Sequence, residues 1–144
     1  MTAITETLSS DHRRCDEIFA LVEEWVSKKD WARGGPGFTE FHEAMEHHFA
    51  MEEGVLFPSF ESRTGQTMGP TQVMRSEHIQ MRQLFGEMKQ AVELQDHERY
   101  LGLSETLMMI MQQHNMKEEQ MLYRMADQVL AADAETIIQQ MKEV

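Results

Sequence analysis

The chain of 144 residues carries 13 Lys+Arg against 25 Asp+Glu, a net charge of −12, which repels nucleic-acid phosphates and anionic membrane surfaces. No apolar run approaches the roughly 20 residues a membrane helix needs, so neither a nucleic acid nor a membrane is an expected partner. The single cysteine, Cys15, excludes an internal disulfide framework, and the Met1–Ser10 segment lacks the basic start and apolar stretch of a signal peptide, so a cytoplasmic location is expected.

In chain order, the first predicted helix runs from the N-terminal region to about Lys29. Gly34-Gly35-Pro36-Gly37 then reads as a strong break, and a second helix is expected over about Phe38–Ser62. Pro58 falls inside it, cannot donate to the carbonyl of Gly54, and predicts a kink or an early end. Gly65 through Pro70 forms the next break, with Pro70 placed to open a third helix ending near Leu94. Asp96 is placed to cap a fourth, about His97–Ala126, and Asp133 a short tail helix over about 134–142. Between the breaks the residues are good helix formers with no alternating strand pattern.

Within each long segment apolar residues recur at steps of four and three. The stripes are Leu8, His12, Cys15, Phe19, Val22, Val26; Phe41, Met45, His48, Glu52, Val55; Met74, His78, Met81, Phe85, Met88, Val92; and Leu107, Met111, His114, Glu118, Met121, Met125. Such spacing puts each set on one helix face. The expected fold is all-α: an antiparallel up-down four-helix bundle with a short C-terminal helix, one domain over 1–144 with its core from about 8 to 126. Fourteen methionines fit adaptable core packing, with a role as oxidation targets near a reactive site the alternative.

The two halves of the chain repeat at an offset of 66 positions, which takes His12 to His78, His48 to His114, Glu52 to Glu118 and Glu53 to Glu119. Each half is a helical hairpin bearing a histidine and then His-x-x-x-Glu, and such a repeat decides the architecture. A His and a Glu four apart share a helix face. One such pair is a weak signal. Two pairs in matching registers, each on an apolar stripe and each accompanied by a lone inward histidine on the partner helix, form a strong one.

A buried carboxylate is costly unless paired or bound to a cation, and no stripe position offers Lys or Arg. Metal is the economical partner, and four imidazoles with two carboxylates suit two first-row ions bridged by Glu52 and Glu118, with open positions left for small ligands. The expected ligands are His12, His48, Glu52, His78, His114 and Glu118. His42, His47 and His97 lie off the stripes and read as surface residues, with His47 the reserve ligand. Glu53 and Glu119 read as solvated groups or as partners that orient an imidazole. Cys15 reads as a small core residue, with a redox role the alternative.

At these residues the chain resembles the hemerythrin-like, or HHE cation-binding, domain family. The resemblance rests on Asp11-His12, on His48 through Glu52-Glu53 leading into Leu56-Phe57-Pro58, on Glu77-His78, and on His114 to Glu118-Glu119. It implies a four-helix bundle around two iron ions, a non-haem di-iron centre with an oxo or hydroxo bridge, held by the six residues above. The chain differs from oxygen-carrying hemerythrins, which have a fifth histidine where Met74 stands and an aspartate five residues after the last histidine, whereas Glu118 follows His114 by four. The four-His, two-Glu set looks more like the di-iron domain of iron–sulfur cluster repair proteins. The expected small partner is dioxygen, nitric oxide or peroxide. The sequence leaves open a carrier or sensor acting through a partner, an enzyme reducing an oxidant, an iron storage or delivery protein, and a structural zinc or manganese bundle.

Overall fold

The computed structural model describes residues 3–144; Met1 and Thr2 of the N-terminal segment lie outside the described residues. Helix α1 spans Ala3–Ser27. The second rod consists of α2 (Trp31–Met51), a π-helical turn (Glu52–Leu56) and α3 (Phe57–Thr64). The third rod is α4 (Pro70–Glu93). The fourth consists of α5 (His97–Lys117), a second π turn (Glu118–Leu122) and α6 (Tyr123–Val129). A short 3₁₀ turn leads to α7 (Ala134–Lys142). In this antiparallel bundle α1 packs against the second and fourth rods and α4 against the same two. No helix among the described residues is long and apolar enough to cross a membrane.

The hairpin turns repeat as the ligands do. Lys29 (φ 57°) and Gln95 (φ 52°) both adopt the left-handed conformation that ends a helix. Each is followed by an aspartate, Asp30 or Asp96, whose carboxylate accepts from the backbone N–H of Arg33 or Arg99 and caps the next helix.

The glycine run is not a break. Helix α2 starts at Trp31 and continues through Gly34-Gly35-Pro36-Gly37. Close packing explains Gly34 and Gly37, though not Gly35, whose added Cβ would meet nothing within 4 Å: a Cβ at Gly37 would stand 2.8 Å from Cζ3 of Trp25, and one at Gly34 3.2 Å from Cγ2 of Val26. Missing side chains let α2 lie against α1 directly after the turn, and this gain outweighs glycine's poor helix propensity.

The second rod does not end at Pro58 either. The π turn before it makes the N–H of Phe57 reach back five residues to the carbonyl of Glu52, and Pro58 falls in the first turn of α3, where its missing donor is tolerated. Proline is not the cause of the π geometry, because the matching turn at Glu118–Leu122 contains none.

Each π turn inserts one residue and advances the inward face. Leu122, Tyr123 and Ala126 are therefore buried, whereas Met121, expected inside, is 60% exposed and Met125 only half-buried. Leu56, Phe57 and Phe60 are buried in place of Val55.

The core divides into two apolar clusters. One, near the hairpin turns, includes Phe19, Val26, Phe38, Phe41, Phe85, Tyr100 and Leu107. The other includes Leu8, Leu56, Phe57, Met74, Leu122 and Tyr123, and is covered by Ile137 and Met141 of α7. The polar histidine level lies between them.

Candidate metal centre

All six predicted ligands are buried, none more than 4% exposed. They form two donor groups. His12, His48, Glu52 and Glu118 make one; His78, His114 and the same two glutamates make the other. In each, one donor atom from every residue lies within 4.8 Å of the rest, so each group could hold a metal ion. Each hairpin supplies the two histidines of one group, and the carboxylates join the groups. Glu52 faces His48 with Oε2 (3.5 Å) and His78 with Oε1 (3.1 Å), while Oε1 of Glu118 faces both His12 (3.0 Å) and His114 (3.2 Å).

Outer carboxylates fix the imidazoles. Every inward histidine engages one through Nδ1: His48 with Asp11 (2.7 Å), His114 with Glu77 (2.8 Å), His78 with Glu53 (2.6 Å) and His12 with Glu119 (2.7 Å). The pairs obey the internal repeat. An Nδ1–H donated to a carboxylate fixes the tautomer, leaves Nε2 free for a cation and raises its basicity. Cations on the outside hold three of these carboxylates: Arg14 binds Asp11, Arg82 bridges Glu53 and Glu46, and Lys117 binds Glu77. The orienting role considered for Glu53 and Glu119 is thus present, and Asp11 and Glu77 share it.

Without a bound cation, burial opposes charge on His48, His114, Glu52, Asp11 and Glu53, and neighbouring opposite charges and hydrogen bonds override it. Burial alone would lower His48, but the Glu52 carboxylate and the Asp11 hydrogen bond carry it up to about 10; Glu118 likewise carries His114 to about 9. Glu52 is held well below the ordinary carboxylate range, against burial, chiefly by His48. Despite burial, hydrogen bonds from His48 and Arg14 bring Asp11 to about 2, and those from His78 and Arg82 bring Glu53 to about 2.

The donors fit a cation. Oε1 of Glu52, Nε2 of His78, Nε2 of His114 and Oε2 of Glu118 are buried without a hydrogen-bond partner; the 3.1 Å approach of His78 to Glu52 lacks hydrogen-bond alignment. Unsatisfied buried polar atoms are rare and costly, and a cation would satisfy all four. Mixed imidazole and carboxylate donors suit iron, zinc or manganese.

Sequence reasoning missed Tyr123. Its hydroxyl donates to Oε2 of Glu52 (2.6 Å) and also stands 2.9 Å from Oε1 of Glu118, inside the His12/His48 group. The aromatic position was visible as the repeat of Phe57, but only the π turn brings the ring inward. The remaining histidines stay outside the two groups. His47 is exposed and His97 half-buried, while His42 packs between Phe38 and Phe85. Cys15 is a buried free thiol, pushed up to about 12 mainly by burial, as expected of a core residue.

No curated protein and no solved structure gives a significant match to the chain. The family model described as the hemerythrin HHE cation-binding domain matches residues 3–126, a span that contains both donor groups and all of the four rods but the last residues of α6. The chain belongs to the hemerythrin HHE cation-binding family.

Proposed function

We propose that this chain is a non-haem di-iron protein that binds or reacts with a small oxidant, dioxygen, nitric oxide or peroxide. The ligands in this reading are His12, His48, Glu52, His78, His114 and Glu118, within a single domain. The observation that carries it is the pair of donor groups joined through both glutamates, with four buried donor atoms lacking any other partner. A bound pair of redox-active ions supplies electrons and Lewis acidity to a small ligand.

The chain's own residues do the rest. Asp11, Glu53, Glu77 and Glu119 hold the imidazoles with Nε2 inward. Phe49, stacked 3.9 Å from the ring of His78, and Phe57 on the same ring (5.7 Å) keep bulk water from that side. Six ligands shared between two ions leave coordination positions for a diatomic molecule, which favours reaction at the site over a purely structural role.

The test is metal analysis of freshly purified protein together with its visible spectrum before and after reduction. Two irons per chain and a colour that bleaches on reduction and returns in air support the reading. The speed of return separates lasting oxygen binding from rapid oxidation. Zinc, or no metal even after anaerobic iron loading, overturns it.

A further inference from the structure

The two donor groups are symmetric in every ligand but not in their surroundings. Tyr123 stacks on His12 with ring centroids 5.6 Å apart at 27°. Its repeat counterpart, Phe57, stacks on His78 at 5.7 Å and 24°. The rings are placed alike, so the difference is one hydroxyl, and that hydroxyl lies among donor atoms. It is 2.6 Å from Oε2 of Glu52, 2.9 Å from Oε1 of Glu118, 3.2 Å from Nε2 of His12 and 3.3 Å from Nε2 of His48.

Donors bonded to one first-row ion at about 2.0–2.2 Å stand roughly 3 Å from their neighbours. The hydroxyl keeps that spacing from all four donors of the His12/His48 group. Tyr123 is fully buried within the apolar cluster covered by α7, so its ring cannot swing aside without moving its helix. An ion held by His12, His48 and the two glutamates therefore meets the phenol oxygen.

We infer that Tyr123 is a metal ligand, the fifth donor of the His12/His48 position, and that the two metal positions are inequivalent. On ligation the O–H bond is exchanged for an oxygen–metal bond and the proton leaves to solvent. The His78/His114 position, with Phe57 in the corresponding place, is one donor poorer and is the open one for an incoming small molecule. This inference rests on the di-iron reading above, and its test separates the two.

Wild type and Tyr123→Phe are loaded anaerobically with ferrous iron, oxidised with ferricyanide and desalted. Iron content, visible absorption and resonance Raman spectra are then compared. Phe57 shows that the fold accepts a phenyl ring on a site histidine, so the variant should fold. The expected result is a ferric–phenolate charge-transfer band in wild type that enhances tyrosine ring modes, and loss of that band in Tyr123→Phe. The chain's other tyrosine, Tyr100, lies in the cluster near the hairpin turns, so a band that survives the substitution overturns the assignment. Wild type that binds iron without a phenolate band also overturns it, and with two irons bound the di-iron reading still stands. Failure to bind iron at all overturns both.

Discussion

Nδ1 of His48 lies 2.7 Å from Oδ2 of Asp11, the residue that precedes His12 on the neighbouring helix. The predicted ligand on α1, His12, thus travels with the carboxylate that orients the ligand opposite, and the repeat reproduces this on α4, where Glu77 precedes His78 and engages His114 (2.8 Å). Losing such a partner frees the ring and lowers its basicity. Asp11→Ala should weaken metal retention by about 10–100-fold, with Glu77→Ala acting alike in the other hairpin. Competition against a coloured chelator measures this, and wild-type retention in both variants would show that packing alone orients the imidazoles.

The ligand assignment itself separates the histidines into two classes. His48→Ala removes a donor and leaves Glu52 and Asp11 facing a gap, so it should lose metal at one or both positions and lower the melting temperature of the loaded protein. His97→Ala lies at the start of α5, outside both donor groups, and should keep full metal content. Metal analysis of the two variants side by side decides; a marked loss in His97→Ala would mean that the stripe pattern selected the wrong histidines.

Gly37 tests why a glycine run persists inside a helix. Gly37→Leu must place its Cβ 2.8 Å from the ring of Trp25 and 3.1 Å from Val22, and should destabilise the protein by about 1–3 kcal/mol. Gly86 of α4 is exposed and its added Cβ would meet nothing within 4 Å. Gly86→Ala should instead stabilise by up to about 1 kcal/mol. Urea titrations read both, and a destabilising Gly86→Ala would show that helix propensity is not what limits α4.

These residues show what was legible in the sequence. Helix number, the internal repeat, the six candidate ligands and the inward stripes up to Glu52 and Glu118 follow from periodicity, which is a local property. The glycine run was misread because a break and a close helix contact share one composition, and only the approach of Trp25 distinguishes them. Past the glutamates the stripes slipped by a residue because the π turns carry no proline or glycine rule; the sequence trace they leave is a run of fours, Glu52, Leu56, Phe60 and Glu118, Leu122, Ala126. Tyr123 stayed hidden behind that slip.

The metal-free protein should lose stability in mild alkali, and metal should abolish the loss. His48 and His114 are carried to about 10 and about 9, and His12 and His78 are raised as well. A histidine whose folded pKa exceeds its unfolded value near 6.5 contributes stability that is fully present below 6.5 and gone once pH passes the folded value. The opposite signs apply to Asp11 and Glu53, whose lowered pKa values contribute above about 4 and fail as pH falls toward about 2, and Glu52, also held well below the ordinary carboxylate range, acts with the same sign. The melting temperature of the metal-free chain should therefore decline from about pH 7 to pH 10. In the loaded chain cations replace those protons, so its melting temperature should stay level over the same range, and metal affinity should rise with pH. Differential scanning calorimetry of both forms checks this; parallel profiles would show that the imidazoles are neutral in the metal-free core and that Glu52 and Glu118 are balanced by something other than the histidines.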